Sequence, residues 1–474
     1  MINSKIGKRF EDNYAIIAEY LFNYLMRDMF RSLHILKQTI LFERPPQDWA
    51  AFLQELHVLR QQQAAFAALP VTARTARLLA FADKLAANRH RLAVMVSEEV
   101  GRCLRECEAE LDKSVELIRY YARLAPELLA HKTIATQASL SQVRFEPLGV
   151  VLAVMPWNYP VWQVLRFAVP ALCTGNACVV KPAPSVARVT AALFELNDGL
   201  PIMPAWLGND DVLHAIEHTD ALAFTGSTET GRKLAAHAGL HLKKNVLELG
   251  GSNALLVLPD ADLAQAAKEA CYSRFRDAGQ SCNAAKRIIV TEAIADEFIA
   301  LFLAECARLT MGNPLDPATT LAPLHRADLR QRLHEQVQDA LAKGAIALCG
   351  GALPEGEGWF YPATVLDKVN PSCRVYHEEV FGPVAVLLRA KDAQHAVDLA
   401  NDNPFGLGAS IYSQDETAAW HYAEQLHTGA VFINRHTSSD LRLPFGGVKA
   451  SGYGRELSEF GLYEFVNVKS YWQK

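Results

Sequence analysis

Val150-Val151-Leu152-Ala153-Val154-Met155-Pro156-Trp157-Asn158-Tyr159-Pro160 opens as an unbroken apolar run and stops at a proline. An apolar run without polar alternation marks a strand buried on both faces, as in a parallel sheet covered by helices. The stretches that follow repeat that grammar. Residues 162–172 read as a helix and 177–180 as the next strand, with a helix from about Ser185. A strand at 221–224, a helix from Thr228 and a strand at 246–249 complete one unit. The pattern restarts with strand 254–258, helix 261–275, strand 288–290 and helix 294–309. It resumes with strand 384–388, helix 393–400, strand 407–412, helix 415–426 and strand 431–433. Two open α/β units in series are predicted.

Upstream, residues 49–129 carry apolar side chains at helical spacing, and 131–146 change to the Ser, Thr and Val alternation of an extended arm. The tail 461–474 also alternates and reads as a strand that could add to another sheet edge. Residues 20–42 are apolar-rich, but Arg27, Asp28, Arg31, His34 and Lys37 interrupt them, which rejects a membrane span and leaves an amphipathic helix. The acidic residues Glu11, Asp12 and Glu19 argue against a transit peptide, and no secretory cleavage pattern follows the early lysines.

A net charge of −5 gives no reason to expect nucleic acid or an anionic membrane as partner. Nine cysteines without a Cys-x-x-Cys pair signal neither a disulfide framework nor a metal site, and fit a reducing cytoplasm. One of them, Cys282, follows Ala278-Gly279-Gln280-Ser281. A thiol attacks as thiolate, which asks for nearby positive charge, and Arg276 and Lys286 are close in sequence. On its own Cys282 also fits a small buried apolar residue. Asn158 stands at a strand's carboxyl end, where it can donate to an oxyanion or shape a turn. Lys181 ends the next strand. Gly226-Ser227-Thr228-Glu229-Thr230-Gly231 links a strand to a helix and offers backbone N–H groups to an anion, without being a P-loop. Glu248, set between Leu247 and Leu249, is a carboxyl whose burial would raise its pKa toward a general base's range.

In this order and spacing the stretches PWNYP, VVKPAP, FTGSTETG, LELGG with GQSC, and EEVFGP resemble the aldehyde dehydrogenase superfamily from about residue 48 onward. The resemblance implies two Rossmann-like α/β domains with a small β oligomerisation arm. Residues 48–130 and 148–248 would bind NAD or NADP, 249–440 would form the catalytic domain, and 131–147 with 455–474 the arm, which points to a homodimer or homotetramer. Residues 1–47 are atypical. It further implies Cys282 as nucleophile, Glu248 as general base, and Asn158 with the Cys282 N–H as oxyanion donors. Lys181 and Glu379 would hold the cofactor riboses, Phe381 would pack at the nicotinamide, and Ser227 would meet the phosphates. Trp157, Gly226, Gly231 and Leu249 complete the implied cofactor set. Thiolate attack, hydride loss and hydrolysis of a thioester would follow.

Arg166, Arg276 and Ser439 match positions that bind the distal carboxylate in succinate-semialdehyde dehydrogenases, so a short aldehyde acid is the implied substrate. A guanidinium fork suits a carboxylate. Pro184 stands where NAD-preferring relatives carry a glutamate, which leaves NADP tolerated. Phe167 replaces a lysine proposed elsewhere in the family to relay protons with the glutamate at Glu456. Broader aldehyde specificity, a silent member of the fold and a cysteine hydrolase are the competing readings.

Overall fold

The computed structural model describes residues 29–474. Two mostly parallel sheets form its frame. The first runs Gly452–Tyr453, Lys244–Glu248, Ala221–Thr225, Val150–Val154, Ala177–Lys181, Ile202–Pro204. All its pairings are parallel except that of Gly452–Tyr453 with Lys244–Glu248. Parallel pairing puts the carboxyl ends of four central strands on one edge, which collects Asn158, Lys181, Gly226 and Glu248 there. Val150, Val151, Leu152 and Ala153 are fully buried, as their unbroken apolar run requires.

The second sheet runs Ile346–Cys349, Thr364–Asp367, Val384–Ala390, Ala285–Thr291, Asn253–Val257, Ala409–Tyr412, Val431–Ile433. Only the Ile346–Cys349 edge is antiparallel. Gly250 and Gly251 join the last parallel strand of the first sheet to Asn253–Val257 of the second. Glu248 therefore leaves one sheet where the other begins, and Cys282 precedes the neighbouring strand Ala285–Thr291.

Helices Trp49–Ala67, Val71–Ala87, Arg89–Val100 and Leu104–Leu128 precede the first sheet, as the apolar spacing predicts. The arm is a three-stranded antiparallel sheet in which Val466–Gln473 pairs with Leu140–Pro147, and Lys132–Thr133 pairs with the latter's other edge.

Two expectations need correction. Residues 461–463 belong to the helix Ser458–Tyr463, and the tail strand starts at Val466. Tyr463 stacks on Phe145 and donates to the Leu128 carbonyl, contacts that an arm strand running from 461 would forgo. The expected helix over 20–42 lies partly outside the described residues, and its described part is a hairpin of Phe30–Leu33 with Ile40–Arg44. Phe30 and Ser32 alternate inward at strand period, and Phe30 meets Trp206 edge-on with ring centroids 5.2 Å apart.

Candidate active site

The thiol loop is built by a forced turn. After the helix Leu263–Phe275, Asp277 and Ala278 take φ of 55° and 52°, left-handed values costly for residues with a Cβ. Buried ion pairs hold the turn. Arg102 Nε donates to Asp277 Oδ1 at 2.6 Å, Arg276 Nε donates to Oδ2 at 3.0 Å, and the Tyr159 hydroxyl donates to Oδ2 as well. Arg102 also pairs with Glu110. The Oε1 of Glu110 accepts the Val161 and Trp162 N–H groups at 2.9 and 2.8 Å, which fixes the helix Trp162–Cys173 just beyond Asn158.

Cys282 is half-buried at the end of this loop. Burial pushes its thiol up to about 11, a shift that Lys286 and Arg166 oppose. Lys286, fully buried, donates from Nζ to the Ser281 and Cys282 carbonyls, each at 2.8 Å. A thiol so shifted is protonated at neutral pH, and any attack by it would require loss of that proton. The Asn158 side chain is buried, and its Nδ2 donates to the Gln280 carbonyl at 3.0 Å, which leaves one N–H of the amide for another acceptor.

Glu248 is 2% exposed. Burial first, then the neighbouring Glu456, pushes its carboxyl up to about 8 against the opposing pull of Arg166 and Arg455. Neither of its oxygens has a well-aligned hydrogen bond. Arg166 Nε lies 2.5 Å from Glu456 Oε2, a charge contact whose angles miss a hydrogen bond, and Arg166 Nη2 makes none among the described residues. Phe167 meets Phe465 edge-on, and the charge beside Glu456 is that of Arg166.

Arg166, Arg276 and Ser439, far apart in the chain, line one cavity of about 610 Å³ together with Cys282. Lys113 lines it too, a residue the sequence reading passed over. Its Nζ donates to the Ser439 carbonyl at 2.8 Å and to the Ser439 hydroxyl. Burial, with Arg166 and Arg276 nearby, lowers its ammonium to about 8. Two apolar faces, Trp162 and Phe445, complete the walls.

The remaining candidate residues gather at the first sheet's edge. Lys181 donates to Asn209 Oδ1 at 3.2 Å, and its ammonium stands 5.6 Å from the Phe30 ring centroid. Trp157 stacks on the buried His325 at 4.2 Å and meets Phe381 edge-on at 5.8 Å. Glu379 Oε1 accepts the Gly251 N–H at 3.0 Å and lies 3.3 Å from Lys286 Nζ. Ser227 is exposed and caps the helix Thr228–Leu240, accepting the Thr230 N–H. The glycines here have no room for side chains. A Cβ on Gly226 would come within 2.5 Å of the Phe224 ring, one on Gly231 within 2.4 Å of Leu249, and one on Gly250 within 2.7 Å of Glu379 Oε2. Bare backbone, an exposed hydroxyl at a helix N-terminus and a lysine at a strand end suit a phosphate-bearing dinucleotide.

Sequence reasoning also misses His325 and Asn209. Lys286 was noted only for its charge near Cys282, whereas its carbonyl contacts and Glu379 pairing are tertiary.

The sequence model of the aldehyde dehydrogenase family matches residues 47–471. The succinate semialdehyde dehydrogenase [NAD(P)+] Sad of Escherichia coli is 44% identical over 408 residues, covering 84% of this chain and 88% of that protein. The succinate-semialdehyde dehydrogenase [NADP(+)] 1 of Mycobacterium tuberculosis is 42% identical over 403 residues, 83% of this chain and 88% of its own length. Among solved structures, the succinic semialdehyde dehydrogenase of Streptococcus pyogenes in complex with NADP+ superposes with a TM-score of 0.91. It is 32% identical, and the match covers 93% of this chain and 99% of that one.

Proposed function

The chain belongs to the aldehyde dehydrogenase family, and from that premise we propose that it oxidises succinate semialdehyde to succinate with NAD+ or NADP+. One observation carries the choice of substrate. Arg166, Arg276, Lys113 and Ser439 share a cavity with Cys282, so a four-carbon chain can lay its carboxylate among cations while its aldehyde reaches Sγ.

The residues divide the work as follows. Cys282 Sγ gives its proton to solvent in the open cavity and attacks the aldehyde carbon, whose carbonyl oxygen takes the negative charge. The free N–H of Asn158 and the Cys282 backbone N–H stabilise the alkoxide, and Gln280 keeps the Asn158 amide in place. The dinucleotide, held by Lys181, Ser227, Glu379 and the glycine edge beside Trp157 and Phe381, supplies the hydride acceptor when bound. The acyl group then rests on Cys282 as a thioester. Glu248 takes a proton from water, whose oxygen attacks the acyl carbon and releases the acid with the thiol. A carboxyl with a pKa of about 8 is half ionised in the mildly alkaline range and fits that task. Pro184 brings no carboxylate to repel a 2′-phosphate, so NADP+ is accepted. The arm, with exposed Leu140, Val468 and Trp472, is the surface for a homodimer or homotetramer in the cytoplasm.

Rates with succinate semialdehyde and with an uncharged aldehyde of equal length, followed by nicotinamide absorbance with each cofactor, test the reading. A kcat/KM at least about tenfold higher for the acid is expected, equivalent to about 1.4 kcal/mol. Equal values would defeat the carboxylate assignment, and no turnover of any aldehyde would defeat the enzyme assignment.

A further inference from the structure

Away from the thiol, the helices Asp211–His218 and Thr228–Leu240 run side by side and bring together donors that the mechanism does not use. Glu217 sits in the last turn of the first helix. His237 lies in the last turn of the second and His241 at its end, four positions apart and so on one helix face. His237 Nε2 is 3.1 Å from Glu217 Oε1, and His241 Nε2 is 3.7 Å from the same oxygen. The donor atoms of these three residues all lie within 4.8 Å of one another. His214 Nδ1 also stands 3.7 Å from that oxygen.

Hydrogen bonding does not account for this convergence. A carboxylate oxygen has two lone pairs. Three ring nitrogens crowd this one, and only His237 is hydrogen-bonded to it. A zinc-class ion, with bonds of about 2.0–2.1 Å to nitrogen and oxygen, holds tetrahedral donors about 3.4 Å apart. The two separations of 3.1 and 3.7 Å bracket that value, so small side-chain rotations would seat an ion. The group is half-exposed, which lets a hydrated ion enter and water fill open positions.

We propose that Glu217, His237 and His241 bind a divalent transition ion of the Zn2+ class. Imidazole and carboxylate donors suit such an ion, whereas Mg2+ and Ca2+ want oxygen alone. The ion ties the last turns of two helices whose first turns serve the cofactor edge. Asn209, which receives Lys181, leads into the first helix, and Ser227 caps the second. Occupancy therefore braces the cofactor side and leaves the aldehyde cavity alone.

Co2+ is the probe, added to the full chain carrying Cys282→Ser so that the accessible thiol cannot compete. Equilibrium dialysis with metal analysis should find one Co2+ per chain, with visible ligand-field absorption that Zn2+ abolishes. Adding His237→Gln and His241→Gln should weaken binding by about a hundredfold or more and remove the absorption. Zn2+ should raise the thermal midpoint of the Cys282→Ser chain but not of the triple variant. His241 is exposed and His237 partly so, and a circular dichroism spectrum matching the parent's checks that the variant folds. Uptake and stabilisation unchanged by the histidine substitutions, or no uptake by the parent, would overturn the site.

Discussion

Arg166 and Glu456 form a buried ion pair at the back of the aldehyde cavity, with 2.5 Å between Nε and Oε2. Arg166 faces two ways: toward the carboxylate pair Glu456 and Glu248, and into the space beside Cys282. In the proposed function, one guanidinium serves both substrate and base.

Arg166→Ala is expected to raise KM for succinate semialdehyde by about tenfold or more, with a much smaller effect on an uncharged aldehyde of the same length. Its second effect follows from sign. Arg166 lowers the pKa of Glu248, so losing it moves that carboxyl above its present value of about 8 and shifts the rising limb of the kcat profile to higher pH. A pH profile that stays in place would separate Arg166 from the base.

Lys113→Met should weaken only the acid substrate. The Lys113 ammonium loses its charge above about pH 8, so the KM of the parent for succinate semialdehyde should climb beyond that pH. The variant should begin with the higher KM and show less of that climb. Steady-state kinetics from pH 6.5 to about 9.5 with both aldehydes decide it.

Glu248→Gln should leave the first turnover largely intact and slow the steady state by about 10²–10⁴-fold. A rapid burst of reduced nicotinamide followed by a stalled phase is the expected trace. Loss of the burst itself would assign Glu248 to the thiol's proton instead.

Lys286→Met should slow alkylation of Cys282 in the cofactor-free protein at fixed pH. The lysine is the first of the charges that oppose the thiol's upward shift, so the pH midpoint of alkylation should move above about 11. Measured alkylation rates that match the parent would leave Lys286 as a loop anchor only.

Arg102→Ala leaves Asp277 and Glu110 short of their shared buried cation. A loss of about 3–5 kcal/mol in urea unfolding is expected, as for one partner removed from a buried ionic network.

Much of this arrangement is legible in the sequence because it is local. The run at 150–154 can only be a covered strand, and parallel pairing then fixes where Asn158, Lys181 and Glu248 end up. Lys113 shows the limit. It sits on a long helix among solvated charges, and its meaning comes from Ser439, 326 residues away. The N-terminal hairpin misleads for the same reason. Its apolar spacing allows a helix, and the contact between Phe30 and Trp206 that settles the matter is absent from the local pattern. The strand Ile202–Pro204 and the helix Asp211–His218 are too short, at 3 and 8 residues, to stand out in a pattern read over longer windows.

Gly452 and Tyr453 close the open side of the strand that ends in Glu248, with Gly452 opposite Glu248 itself. Gly452 has φ of 107°, and a Cβ there would lie 2.0 Å from the Leu247 carbonyl oxygen, so bare backbone is required at the seam. The ribosome delivers this segment long after the cysteine. A nascent chain, or one cut short by a premature stop, holds Cys282 but lacks both the edge beside Glu248 and the glutamate that pairs with Arg166. In the proposed function, thioester hydrolysis therefore depends on a segment made long after the thiol loop.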